Sequence, residues 1–263
     1  MKKKFGKCAI CGKECELTFE HIPPQKACNN SIRKGYSGDI ILELVTSKDK
    51  MPWELDGFKY TQMQRGVGIY SLCKECNNYT GSKYGDFYCF FTNKTAEFIK
   101  NNLEQYLNSE YMHIKFNSFS PLAFIKQVLS MFCSTNINLS NKYRNVKDIL
   151  LNADSNLNDF DFKISIGMIK NRLISWTGPM NYFDFNGNSR VLSEIITFPF
   201  VYIFEYNKNN KTEKLIDITD FLKYNYQEKI MLDMVLPIVE RNNPAFPGDY
   251  RTKSEIKFDI NRG

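Results

Sequence analysis

Two cysteine pairs dominate the first third of this sequence. Cys8-Ala-Ile-Cys11-Gly12 and Cys73-Lys-Glu-Cys76 share one spacing. Two thiolates two residues apart can grip one metal from a tight turn, and Gly12 tolerates the positive φ that such a turn often needs. Together Cys8, Cys11, Cys73 and Cys76 make up a Cys₄ set, the closed tetrahedral shell of structural zinc. The roughly 60 residues between the pairs exceed the 15–20 or so of a compact zinc finger, so a sizeable segment is inserted between the knuckles. Four reduced core cysteines would be the plainer reading, and the double spacing match weighs against it. Cys15 and Cys28 lie close enough in sequence to compete as ligands. Cys89 and Cys133 read as core thiols, the usual fate of a free cysteine.

Between the pairs stands Leu17-Thr18-Phe19-Glu20-His21-Ile22-Pro23-Pro24, and directly after the second comes Asn77-Asn78-Tyr79-Thr80-Gly81. Imidazole changes charge near neutrality, so a neutral histidine can take a proton from water at cellular pH. The carboxylate of Glu20 and the amide of Asn77 offer the oxygen donors that a hard ion such as Mg²⁺ prefers. A base together with a Lewis acid is what phosphodiester hydrolysis requires. A lone histidine is more often a packing or surface residue than a catalyst. His21 gains weight from its acidic neighbour, the rigid diproline and the flanking knuckles.

These residues need a frame. Leu17 to Ile22 reads as a short strand, with Leu17, Phe19 and His21 on one face and Thr18, Glu20 and Ile22 on the other. Pro23 and Pro24 end it. Glu20 and His21 therefore meet one target only if the strand end bends. Residues 29–67 are polar and irregular apart from an apolar run at 40–45. A long excursion with little local structure is expected there, suited to substrate contact. Arg33, Lys34 and Arg65, with Lys83 beyond the second knuckle, are candidate phosphate contacts, although solvated surface charge explains each one singly. Gly68 to Leu72 reads as the returning strand that delivers Cys73. A helix from Lys74 then puts Asn77 in its first turn, with Gly81, Tyr84 and Tyr88 near the same face. Strand, loop, strand, knuckle and helix make a ββα unit, too small to build its own core and stapled by zinc instead.

Cys8-x-x-Cys11, Glu20-His21, Cys73-x-x-Cys76-Asn77 and Gly81 together resemble an HNH endonuclease of the four-cysteine type, in the His-Me finger superfamily. The resemblance covers residues 8 to about 88. It implies that His21 is the general base, and that Glu20 and Asn77 hold one catalytic divalent metal, Mg²⁺ or Mn²⁺. It implies a purely structural zinc. The family often carries a further asparagine shortly before the second knuckle, which orients the histidine. The segment Arg65-Gly66-Val67-Gly68 offers none, leaving open what aligns His21, and the insertion between the knuckles is long.

The remaining sequence sets bounds. A chain of 263 residues can bury a full core as one large domain or two smaller ones. Hydrophobic content of 43% and charged content of 24% are ordinary for a globular protein. A net charge of +6 permits a polyanionic partner without demanding one. The basic lead-in at residues 1–7 reads equally as a solvated tail or a phosphate contact. No apolar run follows it, so secretion is not expected, nor is any membrane span. Eight cysteines in a chain expected to be cytoplasmic favour metal ligation over disulfides.

Residues 108–119 are poorly patterned and read as a seam between an N-terminal part, 1–107, and a C-terminal part, 108–263. Ser120-Pro121 opens a helix as N-cap and N1, with an apolar stripe of Leu122, Ile125, Val128, Leu129 and Phe132. Residues 146–151 form a shorter helix. From Phe160 the period changes to two, with strands expected at 162–168, 173–177, 182–185, 191–197 and 200–206, and turns at Gly187-Asn188 and Asn209-Asn210. Residues 219–223 and 227–235 read as helices, the second stopped by Pro237. Asp159, Asp161, Glu194, Glu205 and Asp217 are explained by solvation of strand faces, and His113 by the surface. The expected fold class is α+β: a zinc-stapled ββα-metal unit with a long insertion, followed by a C-terminal α+β domain with an antiparallel sheet.

The leading expectation is a metal-dependent endonuclease acting on DNA, whose C-terminal part binds substrate, forms a homodimer or responds to an activating partner protein. Analogy points to bacterial defence or a mobile element. RNA stays open as a substrate, since the same base and metal serve either backbone. The alternative is a non-catalytic zinc-binding module for nucleic acid or protein that retains the same skeleton; such a binder has no need to keep Glu20, His21 and Asn77 together.

Overall fold

A computed structural model of the chain describes residues 3–47, 49–183, 189–207 and 214–260. The chain opens with β1 (Lys4–Lys7), so the lead-in is a paired strand rather than a loose tail, and turns through the first knuckle into β2 (Glu14–His21). The insertion holds β3 (Arg33–Gly35), α1 (Gly38–Thr46) and β4 (Thr61–Met63), with β3 and β4 paired. The expected irregular excursion thus has its own small ribbon, and its apolar run forms α1. β5 (Gly68–Cys73) returns antiparallel to β2, with Leu17 opposite Cys73 and His21 opposite Gly68. The resulting sheet has the order β1-β2-β5.

α2 (Lys74–Thr80) starts where β5 ends, its first turn capped by the Cys73 sulfur, which accepts from the Cys76 amide. It passes through a five-residue π turn, Gly81–Gly85, straight into α3 (Asp86–Asn101). Such turns inside helices recur at functional sites. α4 (Leu103–Asn108), β6 (Tyr111–Phe119), α5 (Pro121–Thr135), α6 (Leu139–Lys142) and α7 (Arg144–Leu151) follow, then β7 (Lys163–Ile169), β8 (Ile174–Phe183), β9 (Ser189–Thr197), β10 (Phe200–Glu205) and β11 (Ile216–Asp217). A 3₁₀ turn at Thr219–Lys223, β12 (Ile230–Val239) and α8 (Lys253–Ile260) complete the described chain. The C-terminal part is a mixed α+β arrangement around a seven-stranded sheet, ordered β6-β12-β7-β10-β9-β8, with β11 also on β7. Its described pairings are antiparallel except β12 against β7. No helix among the described residues is long and apolar enough to cross a membrane.

Several local readings are corrected here. The interval expected to be an irregular seam contains β6, whose Ile114 and Phe119 are buried. Residues 227–235 do not form a helix. Leu232, Leu236 and Ile238 face inward while Met231, Asp233 and Val235 face out, and this period of two makes β12 a strand. Pro237 lies within that strand, opposite Tyr111, and does not stop it. β8 is one strand with an irregularity between Thr177 and Met180. Ser120 stands at the N-cap of α5 with Pro121 at N1, but its side chain makes no capping bond. The turns expected at Gly187-Asn188 and Asn209-Asn210, and the end of the strand expected at 182–185, lie outside the described residues. Glu194 and Glu205 are not solvated: Glu194 faces Arg241 Nε at 2.8 Å, and Glu205 faces Lys163 Nζ at 2.6 Å and Arg190 Nη2 at 2.7 Å, all three contacts on buried carboxylates.

The core is one apolar cluster that runs from Cys8 to Tyr250, across the expected domain seam. At its centre lies α5, buried from Pro121 to Ser134 on every face. It packs against β5, the π turn, α3, α7 and β8. Phe91 of α3 stacks on Phe200 of β10 at 5.0 Å and meets Phe124 of α5 edge-on. Burial all round forces polar residues of α5 inside as well. Lys126 resolves this by donating to the carbonyls of Asn152, Ala153 and Ser155 at 2.9, 2.8 and 2.5 Å, just beyond the end of α7.

β2 and β5 of the small sheet approach too closely for a side chain at Gly68. A methyl group there would overlap the Glu20 carbonyl. Gly68→Ala is expected to destabilise the fold by about 1–3 kcal/mol, the usual cost of overpacking. A denaturant titration checks this; an unchanged midpoint would mean that β2 and β5 tolerate separation at Glu20.

Candidate functional site

The cysteine quartet is assembled from the turn before β2 and the junction of β5 with α2. The first knuckle closes through Gly12 N donating to Cys8 O and Cys8 N donating to Lys13 O, both at 2.9 Å, with Gly12 at φ +75°. Ala9 N donates to Ser71 O at 2.9 Å and ties this knuckle to β5. The four Sγ atoms lie within 4.8 Å of one another, and those of Cys11 and Cys73 are 3.9 Å apart. A tetrahedral zinc with sulfur at about 2.3 Å spaces its ligands by about 3.8 Å, so the four can hold such a metal. Their protons are unequally shared. The Cys8 thiol is pulled down to about 4, chiefly by the hydrogen bond from Cys76, and that same bond pushes Cys76 up. Burial pushes Cys73 up to about 12. A thiolate crowded by three more sulfurs is a natural seat for a cation. Cys15 and Cys28 are not members of the cluster: Cys15 Sγ lies 3.4 Å from Lys13 O and Cys28 Sγ 3.7 Å from Asn93 Oδ1.

Beside the quartet a cleft of about 280 Å³ gathers Glu20, His21 and Asn77. The pairing of β2 with β5 shifts register between Thr18 and Phe19. Irregularities of this kind bend a strand. Both Glu20 and His21 line the cleft, Glu20 buried and His21 half-buried. Asn77 Nδ2 donates to Thr18 Oγ1 at 2.9 Å and to Phe19 O at 3.4 Å, bonds in which its amide oxygen takes no part. Glu20 is 8% exposed, and burial alone pushes its carboxyl up to about 8, with no positive neighbour opposing.

His21 is held by a group outside any motif. Its Nε2 lies 3.1 Å from Arg65 O, which also accepts from Gln25 Nε2 at 3.3 Å. A carbonyl can only accept, so Nε2 carries the proton and Nδ1 the lone pair. The Phe19 ring meets the imidazole edge-on at 5.0 Å. Asn29 fixes the segment that presents this carbonyl. Fully buried, it donates from Nδ2 to Pro23 O at 2.7 Å and Val67 O at 2.8 Å, and accepts from Val67 N at 2.8 Å. Gly66, at φ +92°, is required there because a Cβ would overlap the Asn29 carbonyl. Gly66 was visible in the sequence; its close approach to Asn29, a residue on the far side of the insertion, was not.

The four candidate phosphate contacts are not gathered in this cleft. The Arg33 guanidinium donates to Cys28 O and Arg172 O, Lys34 Nζ lies over the Tyr60 ring at 4.7 Å, and Arg65 contributes its carbonyl. Lys83 is exposed on the π turn, its carbonyl accepting from Tyr226. The cation that does line the cleft is Lys26, 3.8 Å from Asp86. Asn77, Gly81, Gly85 and Cys89 recur every four residues along one wall, so Cys89 is a buried thiol of the cleft wall as well as of the core. Tyr84 and Tyr88 turn away: Tyr84 donates to Leu150 O, and the Tyr88 hydroxyl bonds that of Thr197. Gln127 arrives from α5, which no motif foretold.

One zinc per chain is expected by elemental analysis, and Cys76→Ser should lose metal and lower the thermal midpoint together, because structural zinc contributes directly to folding. A Cys76→Ser protein with full zinc and an unchanged midpoint would remove the quartet as a metal site. Comparison of the chain with protein-family models, with curated proteins and with solved structures returned no match in any of the three, so the reading of this site rests on its own geometry and chemistry.

Proposed function

We propose that this chain is a metal-dependent endonuclease of the HNH kind that hydrolyses DNA phosphodiester bonds, with His21 as general base and Glu20 and Asn77 as ligands of one divalent cation, Mg²⁺ or Mn²⁺. The observation that carries the reading is the single cleft, beside the cysteine quartet, lined by Glu20, His21 and Asn77. The donor set suits such an ion: a buried carboxyl without a positive neighbour and an amide anchored through its nitrogen. A bound divalent cation supplies Lewis acidity toward the phosphate and the leaving oxygen.

The protein's own residues do the rest. The Arg65 carbonyl fixes the Nε2–H tautomer, so Nδ1 of His21 takes the proton of the attacking water. Phe19 and the clamped Gly66–Val67 segment restrict the ring's rotation, which shortens the search for a reactive geometry. The cysteine quartet takes no part in the chemistry, since a zinc held there would have sulfur in all four positions. The net charge of +6 favours a polyanionic substrate, and Lys26 at the cleft is the cation placed to meet a phosphate. On this reading residues 1–107 carry the chemistry and residues 108–263 form the accessory part.

His21→Ala is expected to lower nicking of supercoiled plasmid by about 10²–10⁴-fold in Mg²⁺ or Mn²⁺, the usual worth of a positioned base, with zinc content unchanged. Cutting by this variant at the wild-type rate overturns the assignment. Faster cleavage of an RNA strand than of the matching DNA would replace the substrate and leave the base in place.

A further inference from the structure

The helix at the centre of the core delivers one group to the cleft that the proposed mechanism has not used. Gln127 is 1% exposed, and its amide oxygen is buried and meets no hydrogen-bond donor among the described residues. Leaving a buried acceptor unpaired costs about 1–3 kcal/mol. α5 could bury any apolar residue at this position without that cost. The side chain lines the same cleft as Glu20 and Asn77. Across from it stands Gly85 of the π turn, where an added Cβ would meet Gln127 Oε1 at 3.9 Å, an ordinary van der Waals contact.

The chemistry of the acceptor narrows its partner. An amide oxygen accepts and does not donate, and a DNA backbone offers acceptors and no donors. Gln127 Oε1 therefore does not suit a phosphate oxygen. A cation suits it, and two more residues with oxygen donors, Glu20 and Asn77, line the same cleft, whose Lys26 faces Asp86 at 3.8 Å. We propose that Gln127 Oε1 is the third protein oxygen of the divalent-cation site, beside Glu20 and Asn77. This rests on the reading of the cleft as a cation site. It makes α5, from the C-terminal part of the chain, a direct contributor to that site, so the two halves cannot be separated without loss of cation affinity.

The test is Mn²⁺ binding by the full, zinc-loaded chain, followed by the electron paramagnetic resonance signal of free Mn²⁺ and needing no turnover. Gln127→Met keeps the volume and removes the oxygen; Gln127→Glu keeps an oxygen and adds charge. Gln127→Met is expected to bind Mn²⁺ at least about 10-fold more weakly, the low end of the loss on disturbing a metal's supporting groups. Gln127→Glu is expected to bind at least as tightly as the native chain. Zinc content and thermal midpoint report whether each variant is folded. Native affinity in Gln127→Met overturns the role of Gln127 and leaves the cation reading standing. A native chain whose Mn²⁺ binding does not respond to Glu20→Gln removes the cation site itself, whereas failure of the nuclease reading shows only in the plasmid assay.

Discussion

Four sulfur atoms crowded within 4.8 Å of one another are the constraint on which the N-terminal third depends. They come from segments separated by the whole insertion, and they join the turn before β2 to the point where β5 becomes α2. With that junction held, Leu17 lies opposite Cys73, and the one-residue shift between Thr18 and Phe19 then sets His21 opposite Gly68. The hairpin is small, and Leu17, Ile69 and Leu72 pack into the core it shares with the rest of the chain. A metal that neutralises the sulfurs can do for it what a core does for a larger unit. Asn77 follows the last cysteine immediately, so the quartet also fixes where the amide falls relative to the strand that carries Glu20 and His21. Ser140 adds a tie from the C-terminal part, donating to Ala9 O at 2.6 Å.

The cleft beside the quartet has an unusual balance of donors and acceptors. Glu20 has burial without a positive neighbour, and Gln127 has a buried oxygen without a donor. A buried acceptor without a donor is costly, and most proteins pair it. The unpaired Gln127 oxygen and the buried Glu20 carboxyl line one cleft, and together they argue for a positive ligand there. His21 is treated differently. Its Nε2 proton is taken by a backbone carbonyl, which leaves Nδ1 as the ring nitrogen with the lone pair.

The boundary near residue 107 looks different in three dimensions. α5 is surrounded, with the knuckle-bearing hairpin and π turn on some sides and the large sheet on others. A helix buried on all faces cannot be divided between two independent bodies. The small unit and the sheet therefore share one core, and Gln127 of α5 joins the lining of the cleft. The buried ion pairs of Glu194 with Arg241, and of Glu205 with Lys163 and Arg190, belong to that larger part and account for carboxylates that solvation would have explained more simply.

The cysteine quartet, the strand that ends at His21, the returning strand from Gly68 and the helix that begins at the second knuckle were all legible in the residues alone. These are local patterns: a two-residue spacing, an alternation, a diproline stop and a helix start, each read within a few positions. The sequence also placed Glu20, His21 and Asn77 as one set. Their surroundings were set by packing between distant segments. The Arg65 carbonyl, the Asn29 clamp and Gln127 act from distant positions through backbone atoms or an amide, and such groups carry no sequence signature. The same holds for β12, where a run rich in leucine and methionine suits a helix until β6 and β7 supply the edges that make it a strand. The phosphate candidates Arg33, Lys34, Arg65 and Lys83 were chosen by charge alone. Charge does not say where a long side chain lies, and packing sent them elsewhere while bringing Lys26 to the cleft.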